Sequence, residues 1–200
     1  MKIVAIVLVV ILIVVAAVII FSPKAPENVQ SLEVGEATEQ TEKDGMDAEG
    51  ALEITEFSFV GYGPGKSHVG EFQKYEVKNV KVNESGIPVA GELVIDVNSI
   101  KTDTELLDTH LKEKPEFFDT AKYPTITFAL SNATETGAGL YQVTGNLTVK
   151  GVTKQVGFTV NGNTDKTFSS EFKLKMSDFG FEAPGIVDDE VLIKFAGKVN

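Results

Sequence analysis

From Ile87 to the C-terminus, apolar side chains return at every second position, stretch after stretch. Ile87, Val89, Gly91, Leu93, Ile95 and Val97 fall on one face of the first stretch, with Pro88, Ala90, Glu92, Val94, Asp96 and Asn98 on the other. The same period runs through residues 126–130, 141–149, 156–160, 168–176 and 191–199. Successive Cβ atoms of a strand point to opposite sides of the sheet, so a period of two marks a strand whose faces see different surroundings. Strand-like segments at 52–59, 69–72 and 75–82 bring the total to eight or nine.

The links between them are short and rich in glycine, as in Thr136-Gly137-Ala138-Gly139 and Asn161-Gly162-Asn163, which predicts antiparallel neighbours. Closing such a sheet on itself removes its edges. The predicted architecture is therefore an eight-stranded antiparallel barrel, with a two-sheet sandwich as the alternative. A barrel of this size has an interior that side chains can fill or that can hold one ligand. One insertion breaks the pattern. Thr102 followed by Glu105 matches a capping box, and Leu106, Leu107, His110 and Leu111 then fall at helical spacing, predicting a short helix over 104–112.

Two further regions flank this body. Residues 3–21 are nineteen consecutive uncharged, apolar side chains behind Lys2. As a helix they reach roughly 28 Å, about the thickness of a bilayer core. We read residues 1–21 as a transmembrane signal-anchor. A cleaved export signal is the alternative, though its apolar stretch is usually shorter and ends in a small-residue site. Lys2 precedes the run and a strongly acidic stretch follows it, which places the N-terminus in the cytoplasm and the C-terminal domain outside. If the segment is cleaved, the domain is secreted or periplasmic. Residues 22–50 carry eight acidic side chains against Lys24 and Lys43, with few large apolar residues. Such a composition predicts a disordered acidic linker. Residues 51–200 form one domain.

That domain has 15 Lys, 21 Asp plus Glu and no Arg. An acidic surface without arginine excludes a nucleic-acid binder, which needs cations for the phosphates. Catalysis has little support either. The chain has two histidines, His68 and His110, and no cysteine, and neither histidine sits in a metal-ligand spacing. The stretch Gly61-Tyr62-Gly63-Pro64-Gly65-Lys66-Ser67 imitates a phosphate loop but has Val60 where the first glycine belongs, and it reads as a turn.

Three stretches together resemble the YceI-like family of extracytoplasmic lipid-binding proteins. The first runs from Val97-Asn98-Ser99-Ile100-Lys101-Thr102-Asp103 through Asp108, His110-Leu111, Phe117-Phe118-Asp119 and Lys122-Tyr123-Pro124 to Ile126 and Phe128. The second is Gly145-Asn146-Leu147-Thr148-Val149-Lys150-Gly151-Val152-Thr153-Lys154. The third is Ser177-Asp178-Phe179-Gly180. The resemblance implies an all-β, eight-stranded antiparallel lipocalin-like barrel with a short helical insertion, here preceded by an N-terminal transmembrane helix. It also implies an elongated apolar cavity for a polyisoprenoid-type chain or similar amphiphile. The family pattern has arginine just before the position of Asp108 and two before that of Asp178; this chain has Leu107 and Met176. Two cationic partners for a polar headgroup are thus missing.

The candidate ligand-binding set follows from the inward rows and the family motifs: Leu93, Ile95, Phe128, Tyr141, Phe158, Phe168, Phe172 and Phe195 around the cavity, with Asp108, His110 and Asp178 at its mouth. For His110 a structural role, fixing the helix against the barrel rim, is the simpler reading. Gly91, Gly145, Ser170 and Gly197 share the inward rows with the aromatics, so large and small residues either interdigitate into a solid core or leave an elongated void. The two outcomes separate the two functions: a carrier or store of an isoprenoid-like lipid or quinone, tethered to the cytoplasmic membrane, or a ligand-free interaction module. No enzyme activity, metal or other cofactor is expected, and the sequence leaves the oligomeric state open.

Overall fold

A computed structural model describes residues 22–40, 43–48, 50, 52–182 and 184–200. The segment expected to form the transmembrane signal-anchor, residues 1–21, lies outside the described residues. Among those described, no helix is long and apolar enough to cross a membrane.

The body is one curled antiparallel sheet. Its strands are β1 (Glu33–Glu36), β2 (Met46–Asp47), β3 (Leu52–Gly63), β4 (Lys66–Phe72), β5 (Tyr75–Val82), β6 (Pro88–Asp96), β7 (Ile100–Thr102), β8 (Thr125–Gly137), β9 (Leu140–Val149), β10 (Val152–Gly162), β11 (Thr167–Lys175) and β12 (Glu190–Val199). The hydrogen-bonded path runs β2-β5-β6-β8-β9-β10-β11-β12-β3-β4-β7, with β1 attached to β10. A closed ladder of eight strands was the expectation; here the ladder stays open between β2 and β7. The curl nevertheless brings β5 back towards β3, where the Tyr75 hydroxyl donates to the Ile54 carbonyl at 3.4 Å. The predicted strands are found, most of them longer than their apolar cores, because backbone pairing continues past the last buried side chain.

Turn chemistry accounts for the register. Val149 pairs with Val152 across a two-residue link, and both link residues, Lys150 and Gly151, have positive φ (51° and 76°). That is the backbone of a type I′ turn, whose twist matches that of the strands it joins. The helix, α1 (Glu105–Glu113), starts within a residue of its predicted position. Its cap is Thr104, whose side chain accepts from the Leu107 amide. Thr102, the residue expected to cap it, belongs to β7 and is buried against Asp108.

The acidic stretch 22–50 departs most from expectation. Its described part is not a free linker but a girdle laid on the sheet. Ala25 and Val29 pack with Tyr62 and Val60 of β3 and Leu192 of β12. Leu32 bonds to β11, β1 pairs with β10, Thr38 exchanges bonds with Asn146 of β9, Gln40 donates to Ser131 of β8, and β2 pairs with β5. Composition argued for disorder because this segment has almost no core of its own. The sheet supplies one: each small apolar residue finds a prepared patch, and backbone groups find unpaired partners.

Candidate functional site

The concave face of the sheet forms a half-open cavity of about 1100 Å³. That is just above the usual range for small-molecule sites, about 300–1,000 Å³. All eight residues assigned to the interior line it. Leu93 and Ile95 come from β6, Phe128 from β8, Tyr141 from β9 and Phe158 from β10, with Phe168, Phe172 and Phe195 from β11 and β12. Five of the aromatics form one chain of ring contacts, in which Phe168 meets Phe195 at 6.4 Å. Phe128 meets Phe158 at 5.6 Å, Phe158 stacks on Phe172 at 4.8 Å, and Phe195 stands edge-on to Phe158 at 5.8 Å.

The interior is not filled, and several rings occupy the space over glycines on the neighbouring strand. A Cβ at Gly145 would meet the Phe128 ring, one at Gly197 the Phe168 ring, and one at Gly70 the Phe59 ring. Each of these rings takes the room that a side chain at the glycine would need and adds to the apolar lining. The alternation of large and small residues that left two readings open thus resolves into a void.

A second aromatic row was missed. Phe57 and Phe59 of β3, Phe72 of β4, and Phe118 and Phe181 from loops also line the cavity. Phe118 stands edge-on to Phe72 at 6.0 Å and to Phe181 at 5.1 Å, a second aromatic cluster in the lining. Phe57 and Phe59 sit two residues apart, and that spacing could have placed them; Phe118 and Phe181 lie in irregular segments with no period to read. Leu107 and Met176, which stand where the family pattern has arginine, face the cavity as well and continue its apolar wall.

The three polar candidates lie elsewhere. Asp108 is buried beneath α1, accepting from the Thr102 amide and hydroxyl (2.6 Å each) and from Lys101 Nζ (2.9 Å). Burial pushes its carboxyl pKa up, but the Thr102 hydroxyl, Lys101 and the Thr102 amide outweigh that and hold it below the usual carboxylate range. Its geometry ties the helix to β7; it does not line the cavity. His110 is exposed on α1, so its ring does not lock the helix to the rim. Asp178 sits in the 3-10 turn Met176–Phe179, also off the cavity wall. The histidine that does reach the cavity is His68 on β4, opposite Gly61. Its Nδ1 lies 2.7 Å from Asp103 Oδ1, and Lys66 Nζ lies 3.3 Å from Asp103 Oδ2. The bond to His68, then that to Lys66, lowers the Asp103 pKa. Residues 35 apart make this contact, and no local spacing announces it. Among the described residues, no three His, Asp or Glu side chains gather into a group that could hold a metal ion.

The YceI-like domain family matches residues 53–199, nearly the whole sheet. This chain belongs to the YceI-like family. It is 30% identical over 148 residues to the YceI proteins of Salmonella arizonae and Salmonella newport, an alignment covering 68% of this chain and 73% of each relative. Among solved structures, Burkholderia cenocepacia BcnA is similar at a TM-score of 0.64 and 27% identity, over 72% of this chain and 96% of that one. A polyisoprenoid binding domain from Saccharophagus degradans shares the fold, with a TM-score of 0.57 and 16% identity over 75% of this chain and 99% of that one. The N-terminal girdle falls outside the family match.

Proposed function

We propose that this YceI-like protein binds an isoprenoid-like or other amphiphilic lipid in its cavity, on the outer side of the cytoplasmic membrane, and sequesters or carries it. The observation that carries the reading is an aromatic-lined void of about 1100 Å³ in a sheet that could have packed solid. Each CH₂ group moved from water into such a lining contributes about 0.8 kcal/mol, so a long chain binds without any charged partner. With Leu107 and Met176 replacing the family's arginines, the wall favours a guest whose headgroup is uncharged, such as a quinone or an alcohol. The charge pattern around residues 3–21 supports an outward-facing domain held near its lipid source. The protein acts as a binder and not as a catalyst.

Native mass spectrometry of the full chain with retinol, an isoprenoid alcohol, tests this directly. One retinol per chain is the expected result. Substituting tryptophan at Leu93 and Leu147, two lining positions, should narrow the lumen and abolish the bound mass. A chain that takes up neither retinol nor an isoprenoid quinone does not perform this function.

A further inference from the structure

β10 and β11 are neighbours in the sheet, yet their ladder holds only the pairs Asn161–Ser169 and Gly162–Phe168. Beyond those pairs residues 30–36 stand between them and bond to both. On the β11 side, the Lys173 amide donates to the Gln30 carbonyl and the Leu32 amide to the Lys173 carbonyl, each at 2.8 Å. The Gln30 side chain spans the gap: Nε2 donates to the carbonyls of Thr159 on β10 (3.1 Å) and Glu171 on β11 (3.0 Å), while Oε1 accepts from the Thr159 amide (3.0 Å). On the β10 side, Glu33–Glu36 then pair with residues 157–154. Leu32 completes the wall. It is buried, lines the cavity, and belongs to one apolar cluster with Val156 and Phe158 of β10 and Phe172 and Leu174 of β11.

This piece of wall is unlike the rest. All four residues of β1 are exposed, and its ion pair, Lys154 to Glu36 at 3.2 Å, uses a carboxylate that is 94% exposed and therefore holds little. It comes from outside the family-matched span, from a segment with a composition that does not order itself. A short strand with one buried side chain and a solvated outer face opens far more readily than the long ladders around it.

We propose that residues 30–36 are a detachable stave, and that the amphiphile enters and leaves between β10 and β11 when this stave lifts. The proposal rests on the lipid-binding reading above and adds the route. Lifting withdraws Leu32 from the lining and opens a slot along the side of the cavity. A long hydrocarbon then passes sideways, without threading end-on past the aromatic cluster of Phe72, Phe118 and Phe181. Edge groups of both strands, left without partners while the slot is open, draw the stave back.

The chain has no cysteine, so a lock can be introduced cleanly. Val34 and Val156 are cross-strand partners, at the Cα separation a disulfide accepts. The full-length Val34→Cys/Val156→Cys protein, kept in solution with an amphipathic polymer, is loaded with retinol while reduced. Half is then oxidised, and both halves are mixed with phosphatidylcholine vesicles while retinol fluorescence reports release. Release from the oxidised form is expected to be slower than from the reduced form of the same variant by at least about tenfold. Leu32→Ser, which weakens the stave without locking it, is expected to release faster than the unmodified chain. Equal rates before and after oxidation would overturn the side route and leave lipid binding standing. Failure of the unmodified chain to load retinol would overturn both.

Discussion

At the scale of single residues, Asp108 shows how a family motif position can be structural. Its carboxylate gathers the Thr102 amide and hydroxyl and the Lys101 ammonium under the first turn of α1. Asp108→Ala leaves two donors at Thr102 without this acceptor and should lower unfolding free energy by about 1–3 kcal/mol in urea titrations. Retinol uptake should be retained, because Asp108 does not line the cavity. Acid behaviour follows from the sign of its pKa shift. The folded-state value lies below the ordinary carboxylate value of about 3.9, so the native protein binds this proton more weakly than the unfolded chain. The resulting stability is fully present above the ordinary value and is lost as pH falls through the folded one. Asp108→Asn should therefore flatten the fall in stability below about pH 4, measured as urea midpoint against pH.

At the scale of elements, the cavity depends on pairs formed across neighbouring strands. Phe59 of β3 is registered opposite Gly70 of β4, and the atoms nearest a Cβ at Gly70 are all in the Phe59 ring. Gly70→Ala must push that ring off the wall, at a cost of about 1–3 kcal/mol for overpacking. In a Phe59→Ala background the same change should cost almost nothing. A double-mutant cycle on thermal or urea unfolding reads the coupling directly, and additive effects would refute the pairing. The alternation of strands made the inward rows readable, but alternation only says which side a ring is on. Whether a ring crosses the lumen or lies over a glycine depends on the register between two strands, and the sequence of neither strand contains it.

At the scale of the whole molecule, the girdle and the family domain together build the wall of the cavity. Residues 25–40 lie on β3, β12, β11, β10, β9 and β8 and residues 46–47 pair with β5, and at residues 30–36 the segment forms part of the wall. Ligand that binds the folded state stabilises it by mass action. Retinol at a hundred times its dissociation constant should add about 2.7 kcal/mol to the unfolding free energy, read as a concentration-dependent rise in melting temperature. Because Leu32 forms part of the lining, the same retinol should also slow amide exchange at Leu32 and Val34. A ligand held without contact to the stave would raise the melting temperature and leave those amides unchanged.

The nine main strands, the short helix α1 and all eight interior residues were legible in the sequence, because each depends on local periodicity or on a cap within a few residues; β1, β2 and β7 were not. The family motifs implied an eight-stranded lipocalin-like barrel, and the structure is a curled antiparallel sheet whose ladder stays open. The unfilled cavity, the Asp103–His68 contact at its wall and the docking of the described part of residues 22–50 were decided only by the tertiary structure. Their causes lie between distant segments: rings settle over glycines on other strands, a carboxylate meets a histidine 35 residues away, and an acidic segment with no core of its own is ordered by the parted edges of β10 and β11. Local sequence sets where a side chain can point. What it meets there is set by the strand that folding brings alongside.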